Sequence, residues 1–287
     1  MTRKLPLFVL VCSTLLSTAA VAEPAMPRAA SVTVTPQGPT DGGDFGPNTP
    51  GTKTSGLQEA INHAREVQRD VYIAGGGAKE AFKNPVVYTL TETLRIPWMQ
   101  DFRLDGGQAV IQNNSGGDAI VFDSQMSCWF KFGLIVSASN GTVVRLRPET
   151  LGPDNFKVIT ACKFEFGAIV GAGSVFGGDD AAGKGVGLYL DAENGPVDGN
   201  EILASEVIAC RVGIQLSQGA TNNWIRSPFT HLCNTHIVVG GGDGSRCALN
   251  RIEAFIDGAG IKDNTGLVLQ GQRNLLTLSF GANAPEK

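Results

Sequence analysis

Asp123, Arg145, Arg147, Tyr189 and Asp191 are the side chains whose types and spacing could do chemistry. Three of them close short apolar alternations: Ile120-Val121-Phe122-Asp123, Val144-Arg145-Leu146-Arg147 and Leu188-Tyr189-Leu190-Asp191. In an extended strand, neighbours point to opposite faces. Ile120, Phe122, Val144, Leu146, Leu188 and Leu190 therefore turn one way, and the charged residues and Tyr189 turn the other. Guanidinium groups can neutralise the charge of a substrate carboxylate, and a carboxyl in a tuned environment can carry a proton. The same alternation in Ile214-Gln215-Leu216-Ser217 adds Gln215 and Ser217 as hydrogen-bonding neighbours. The Gly-rich stretch between these segments carries Asp179 and Asp180, oxygen ligands suited to Ca²⁺, and the amine of Lys184.

What must position these groups is a set of short strands. Glycine supplies 37 of 287 residues, aromatic residues 7% and charged residues 17%. A Gly share near twice the usual ~7% argues against a helical bundle or coiled coil. Hydrophobic residues make up 42%, enough for a sizeable core. The formal charge of −4 offers no footprint for nucleic acid.

The first residues read as a targeting segment. Arg3 and Lys4 precede the apolar run Leu5 to Leu16, and Ala20-Val21-Ala22 forms a small-x-small cleavage site before Glu23. The expectation is a signal peptide over 1–22, a secreted or periplasmic mature chain, and no membrane span. Residues 23–54, rich in Pro, Gly and Thr, read as a linker or a surface-packed extended segment, and residues 55–287 as one domain. A helix follows Ser55 as N-cap, with Leu57, Ala60, Ile61, Ala64 and Val67 at helical spacing.

The strands repeat. Asn200 precedes Ile202 by two residues, and Asn223-Ile225, Asn250-Ile252 and Asn274-Leu276 share that spacing. Ile202 to Ile225 is 23 residues and Ile225 to Ile252 is 27. Several short strands per repeat of this length are the mark of a solenoid, whose coils bury their apolar faces only by stacking. The periodic asparagines read as structural corner residues. Cys210 and Cys233, each four residues before a matching Ile, should stack on adjacent coils, as a disulfide or as two thiols. Trp98, Trp129 and Trp224 are possible sugar-stacking platforms, but Trp129 and Trp224 lie in core-like patterns. His231 and Cys233 have metal-like spacing, with local hydrogen bonding as the default reading.

The capping helix, the strand Val71-Tyr72-Ile73 before Gly75, and the NxI and GIxL repeats resemble the pectate-lyase-like right-handed parallel β-helix superfamily over residues 55–281. The resemblance implies an all-β right-handed parallel β-helix with an N-terminal capping helix. It also implies a substrate groove along the outward sheet that carries one row of Val121, Arg145, Val170, Tyr189, Gln215, Val238 and Val268. The row beside it is Asp123, Arg147, Ala172, Asp191, Ser217, Gly240 and Gln270. The loops 148–155 and 172–184 are expected to wall that groove on one side. On this reading the protein acts on a polysaccharide or oligosaccharide as a polysaccharide lyase. Arg145, Arg147, Asp191 and Lys184 are its catalytic candidates, and Asp123, Tyr189, Gln215 and Ser217 contact substrate. Asp179 and Asp180 are candidate Ca²⁺ ligands. An Asp123–Arg147 ion pair joins adjacent coils, and Asp123 and Asp191 lie three coils, about 14 Å, apart.

A glycoside hydrolase is the alternative, since Gly178-Asp179-Asp180-Ala181 resembles the paired aspartates of polygalacturonases. Their Gly-His-Gly and Arg-Ile-Lys elements are missing here. A non-catalytic glycan-binding or surface-structural β-helix is the other. An uncapped last coil near Gly281 points to a homo-oligomer such as a trimer, as in some β-helix relatives.

Overall fold

A computed structural model describes residues 31–75, 85–151, 155–173, 183–240, 247–258 and 264–281. Every strand pairing within it is parallel, with register shifts between Gly106 and Val110 and between Ser227 and Thr230, and the strands form three sheets. The chain is a parallel β-helix with one helix, α1 (Leu57–Val67), at its N-terminal end. The right-handed sense is the one expected for parallel β-crossovers.

Each coil visits the three sheets in turn. The first sheet stacks Val32–Val34, Val71–Ile73, Arg103–Asn113, Trp129–Ser137, Lys163–Val170, Glu201–Ala204 with Glu206–Ile208, Trp224–His231, Arg251–Asp257 and Leu275–Phe280. The second stacks Leu94–Ile96, Ile120–Phe122, Thr142–Leu146, Val186–Leu190, Val212–Leu216, Thr235–Val239 and Thr265–Leu269. The third is narrow, running from Met99–Gln100 through Gln125–Met126, Ile159–Thr160 and Val197–Asp198 to Ala220–Thr221. Residues 32–34, in the stretch read as linker or surface-packed segment, supply the outermost strand of the first sheet. Residues 1–22, read as a signal peptide, lie outside the described residues.

The core follows from the strand alternation. Ile120, Phe122, Val144, Leu146, Leu188, Leu190, Ile214 and Leu216 all point inward and are fully buried. From the first sheet, Phe130 stacks on Phe164 at 5.4 Å, and Phe132 on Phe166 at 6.1 Å. Phe122 meets Phe130 edge-on at 4.8 Å, joining the two sheets. The inward pattern Phe164, Phe166, Ile169 skips one residue at Gly167-Ala168, and this skip bends the first sheet. A side chain cannot fit at the bend. A Cβ on Gly167 would lie 2.6 Å from Gly133 O, and one on Gly133 would lie 2.7 Å from Ala109 O.

The corner from the third sheet to the first is built the same way on successive coils. Asp101, Ser127, Ala161, Gly199, Asn222, Leu249 and Arg273 all take a left-handed conformation, with φ between +50° and +66°. Only one of them is glycine, so the corner carries a cost of about 1–2 kcal/mol at the others. The residue that follows offsets it. Asn200, Asn223, Asn250 and Asn274 form a ladder inside the corner. Asn223 Nδ2 donates to Asn250 Oδ1 (3.0 Å) and to Val197 O (2.9 Å), while Asn223 Oδ1 accepts from the backbone N–H (3.2 Å) and Nδ2 (2.9 Å) of Asn200. Upstream, Cys162 N–H donates to Asn200 Oδ1, and Cys128 N–H faces Cys162 Sγ at 3.5 Å. The structural reading of the asparagines holds.

Cys210 and Cys233 stack as expected, since Ile208 pairs with His231 and Val212 with Thr235. Cys128 and Cys162 form a second stack of the same kind, one before Trp129↔Lys163. All five described cysteines are buried free thiols. Ser55 does not cap α1: its hydroxyl bridges the N–H and C=O of Thr89. Thr54 Oγ1 takes the capping bond from Gln58 N–H at 3.0 Å instead. Trp129 and Trp224 are not core residues. They face outward on the first sheet, with Arg103 over Trp129 at 3.9 Å, and with Arg226 and Arg251 over Trp224 at 4.5 and 5.0 Å. Their flanks, Cys128 and Phe130 on one side and the ladder residue Asn223 with Ile225 on the other, are the buried inward neighbours of an alternation in which the tryptophan takes the outer position.

Two predictions follow from these packed groups. Asn223→Ala strips the ladder in its buried middle and should lower stability by about 3 kcal/mol, whereas Asn274→Ala, half-buried on the last coil, should cost about 1 kcal/mol. Urea midpoints compare them; equal losses would show that the ladder does not act from coil to coil. The second concerns His236, which is fully buried with neither ring nitrogen in an aligned hydrogen bond. Burial pushes its pKa down to about 4, against ~6.5 in the unfolded chain. Between those values the unfolded chain binds more protons. Stability should fall by about 3 kcal/mol as pH drops from 7 to 4. His236→Asn should flatten the fall of Tm with pH over that window, and an unchanged slope would assign the loss to other groups.

Candidate active site

The outer face of the second sheet carries the polar groups. Strand register places Arg95, Val121, Arg145, Tyr189, Gln215, Val238 and Val268 in one row. Val170 does not belong to it. Val170 pairs with Val136 and Ile208 in the first sheet, because the bend at Gly167 keeps the chain there for three more residues. Arg95 takes the place at the head of the row. It went unnoticed in the sequence because Leu94-Arg95-Ile96 is too short to signal a strand.

The backbone ladder continues one step past each strand. Arg147 N–H donates to Phe122 O, Asp191 N–H to Leu146 O, Ser217 N–H to Leu190 O and Gly240 N–H to Leu216 O. Asp123, Arg147, Asp191, Ser217 and Gly240 therefore stand in the second row, without Ala172. With no coil between those of Arg147 and Asp191, Asp123 and Asp191 are two coils apart rather than three, about 9.6 Å at ~4.8 Å per coil. The two long connections also differ from expectation. Leu146 ends a strand of the second sheet and Ile159 opens the next in the third, whereas Val170 ends in the first sheet and Val186 opens in the second, so the two connections join different pairs of sheets. Asp179 and Asp180 lie outside the described residues.

Asp191 is the centre of the site. It is 3% exposed, and its Oδ2 lies 3.7 Å from both Arg145 Nη1 and Arg147 Nε. Its Oδ1 is buried without an aligned hydrogen bond. Burial raises its pKa, and the charges of Arg145 and Arg147, with the backbone N–H of Glu193 that also faces the carboxylate, offset this only in part. The arginines extend the array. Arg145 Nε lies 3.2 Å from Asp118 Oδ2, and its Nη2 donates to Thr142 Oγ1 at 3.0 Å. Arg147 Nε lies 3.1 Å from Glu149 Oε1, and Arg95 Nη1 lies 3.5 Å from Glu149 Oε2. Six charges thus alternate in sign from Arg95 through Glu149, Arg147, Asp191 and Arg145 to Asp118. Neither Arg145 Nε nor Arg147 Nε makes an aligned hydrogen bond, so the pairs are ionic contacts that a better acceptor could displace.

The other expected members divide. Tyr189 stands beside Arg145, its ring centroid 5.5 Å from the guanidinium carbon. Burial and then the charge of Asp191 raise its phenol pKa, against the Ser217 hydroxyl and Arg145. Ser217 Oγ accepts from Ala192 N–H at 2.8 Å and donates to Leu190 O at 3.1 Å, which fixes the turn after Asp191. Gln215 is half-buried next to Tyr189. Lys184 is exposed at the entry margin, its carbonyl accepting from Arg211 Nε. Asp123 does not pair with Arg147. Its carboxylate accepts from the N–H groups of Ser124, Glu149 and Thr150 and from Thr150 Oγ1. Burial works to raise its pKa, but those hydrogen bonds outweigh it and hold the carboxyl below its usual range. Asp123 is the cap of the 147–158 connection. Asp118, at one end of the array, and Glu149, between Arg95 and Arg147, were missed because they lie in the connections rather than in the alternating strands.

His231 Nε2 meets Glu206 Oε1 at 2.6 Å, so the His231–Cys233 spacing serves a local contact. No cluster of three or more metal-ligating side chains occurs among the described residues. No family model, curated protein or solved structure matches the chain, so its assignment rests on this geometry.

Proposed function

We propose that the second-sheet face acts on a uronate-bearing polysaccharide outside the cytoplasm, cleaving it by β-elimination. The observation that carries this reading is the desolvated Asp191 carboxyl, with one oxygen in no aligned hydrogen bond, held between two guanidinium groups on the neighbouring coil. A uronate carboxylate entering the face finds Arg145 and Arg147 in loose ionic contacts, and they neutralise it as the adjacent carbon loses its proton. Its arrival sets a second negative charge beside Asp191, whose pKa is already raised, and so favours the protonated carboxyl. Protonated Asp191 is then the acid for the leaving oxygen. Lys184, seven residues before Asp191 along an extended strand and so about 20 Å away, is too distant to act on the same sugar, and the base for the carbon-bound proton is Arg145 or Tyr189 beside Asp191. Tyr189 and Gln215 continue the row as contacts for a glycan lying along the coils.

Hydrolysis through Asp123 and Asp191 is the weaker alternative. Their spacing is near the ~6.5–9.5 Å of an inverting pair, but Asp123 is committed to the cap of the 147–158 connection. A binding role without cleavage is favoured by one observation: each of the six charges in the array already has an opposite partner.

The test is a panel of uronate polysaccharides followed at 235 nm for unsaturated ends, with Ca²⁺ and with a chelator. Activity on at least one polymer is expected. Asp191→Asn should reduce kcat by about 100-fold or more, and Arg147→Ala should mainly raise KM, with unfolding curves showing both folded. New reducing ends without absorbance would favour the hydrolase. Retention on immobilised polymer with no new ends would establish binding alone.

A further inference from the structure

A cavity of about 430 Å³ lies at the N-terminal end of the coil stack, between the C-terminal end of α1 and the segment 98–102, which holds the first strand of the third sheet. Arg65, Gln68 and Arg69 line it from the helix, and Trp98, Gln100 and Asp101 from that segment. Its size falls within the ~300–1,000 Å³ of small-molecule sites.

Its arginines differ from those that project from the two broad sheets, although Arg211 and Arg273 elsewhere also contact no carboxylate among the described residues. Arg95, Arg103, Arg145, Arg147, Arg226 and Arg251 on the sheets each contact a carboxylate. Arg65 and Arg69 contact none among the described residues. Trp98 is half-buried and makes no hydrogen bond to another described residue. The single acid of the lining, Asp101, takes a long bond from Gln100 Nε2 at 3.4 Å. A second cavity of similar size, across α1, makes the contrast: there Lys53 pairs with Glu92, Arg95 with Glu149, and Glu59 accepts from Thr52.

We propose that the cavity between α1 and Trp98–Phe102 is a binding site for a carboxylate-bearing sugar unit, with Arg65 and Arg69 on the carboxylate, Trp98 against the ring and Gln68 and Gln100 on its hydroxyls. Two unpaired guanidinium groups select an anion, since a fork of N–H donors matches a carboxylate. An indole with two primary amides selects a ligand that has both an apolar face and hydroxyls. This site stands whether or not the second-sheet face is catalytic. The unit is either a free sugar acid or the end of a longer chain.

Calorimetric titration with galacturonate, trigalacturonate and neutral galactose tests the proposal. Galacturonate or its trimer should bind, with galactose at least about tenfold weaker. Added salt should weaken the acid sugar and leave galactose unchanged. Arg65→Gln with Arg69→Gln should cost about tenfold or more, and Trp98→Phe should remove the ligand-induced change in tryptophan fluorescence. All three side chains lie outside the coil core, so Tm should hold. Asp191→Asn should bind as the wild type does. Equal binding by monomer and trimer identifies a free sugar acid as the ligand, and tighter binding by the trimer identifies a chain end. No binding at about 20 mM, equal affinity for galactose, or a loss confined to Asp191→Asn would each overturn the assignment.

Discussion

Each coil depends on its neighbours for the hydrogen bonds that its corner cannot make alone. The left-handed residue at the third corner turns the chain sharply and leaves the next residue's polar groups facing inward, away from water. Asparagine is suited to that place because one amide both donates and accepts along the stacking axis, and so passes the requirement on to the next coil. The Asn200, Asn223, Asn250 and Asn274 ladder therefore fixes register as well as stability. A one-residue slip would bury the outward charges and expose the isoleucines. Where the ladder runs into Cys162 and Cys128, a thiol that accepts more weakly takes the place, and there the stacked Phe130–Phe164 and Phe132–Phe166 rings hold the coils instead.

Register turns a linear pattern into a surface. Once the coils are locked, side chains at equivalent positions stand about 4.8 Å apart, close enough for charges to interact directly. The order of acids and bases along the axis then sets each group's environment. Asp191 is flanked by Arg145 and Arg147, yet it lies so far out of water that its pKa still rises. Asp123, two coils away, is held by four hydrogen bonds, three of them from the connection it caps, and its pKa falls. Two aspartates in matching sequence contexts thus differ through what lies around them. That difference leaves the Asp191 carboxyl easier to protonate and the Asp123 carboxyl harder.

This division also marks what the sequence could reveal. The coil repeat, the inward set from Ile120 to Leu216, the ladder and the Cys210–Cys233 stack were legible because each recurs at a fixed spacing, and recurrence is what stacking requires. Misplaced features were those that break the period. Val170 was set in the wrong sheet because the skip at Gly167 is one residue long and leaves no change in composition. Trp129 and Trp224 were read as core because an outward tryptophan flanked by inward apolar residues looks like a continuous hydrophobic run. The roles of Asp118, Glu149 and Arg65 depend on where aperiodic connections and a helix end come to rest, and no local pattern encodes that.

Charge alone does not locate a site on such a scaffold. The first sheet presents as many ionic groups as the second. Arg103, Lys163, Arg226 and Arg251 clasp Trp129 and Trp224, and each also reaches a carboxylate: Asp105, Glu165, Glu201 and Glu253 in turn. Those pairs are half-exposed, each with a carboxylate far more open to water than Asp191, so water screens them and an incoming ion gains less by replacing a partner. On the second sheet the pairs surround, in a dry setting, a carboxyl with one oxygen in no aligned hydrogen bond. A polar ligand there exchanges an unsatisfied contact for a satisfied one, and that gain is larger than any available on the well-hydrated face. The asymmetry between the two faces follows from desolvation at one residue rather than from the number of charges.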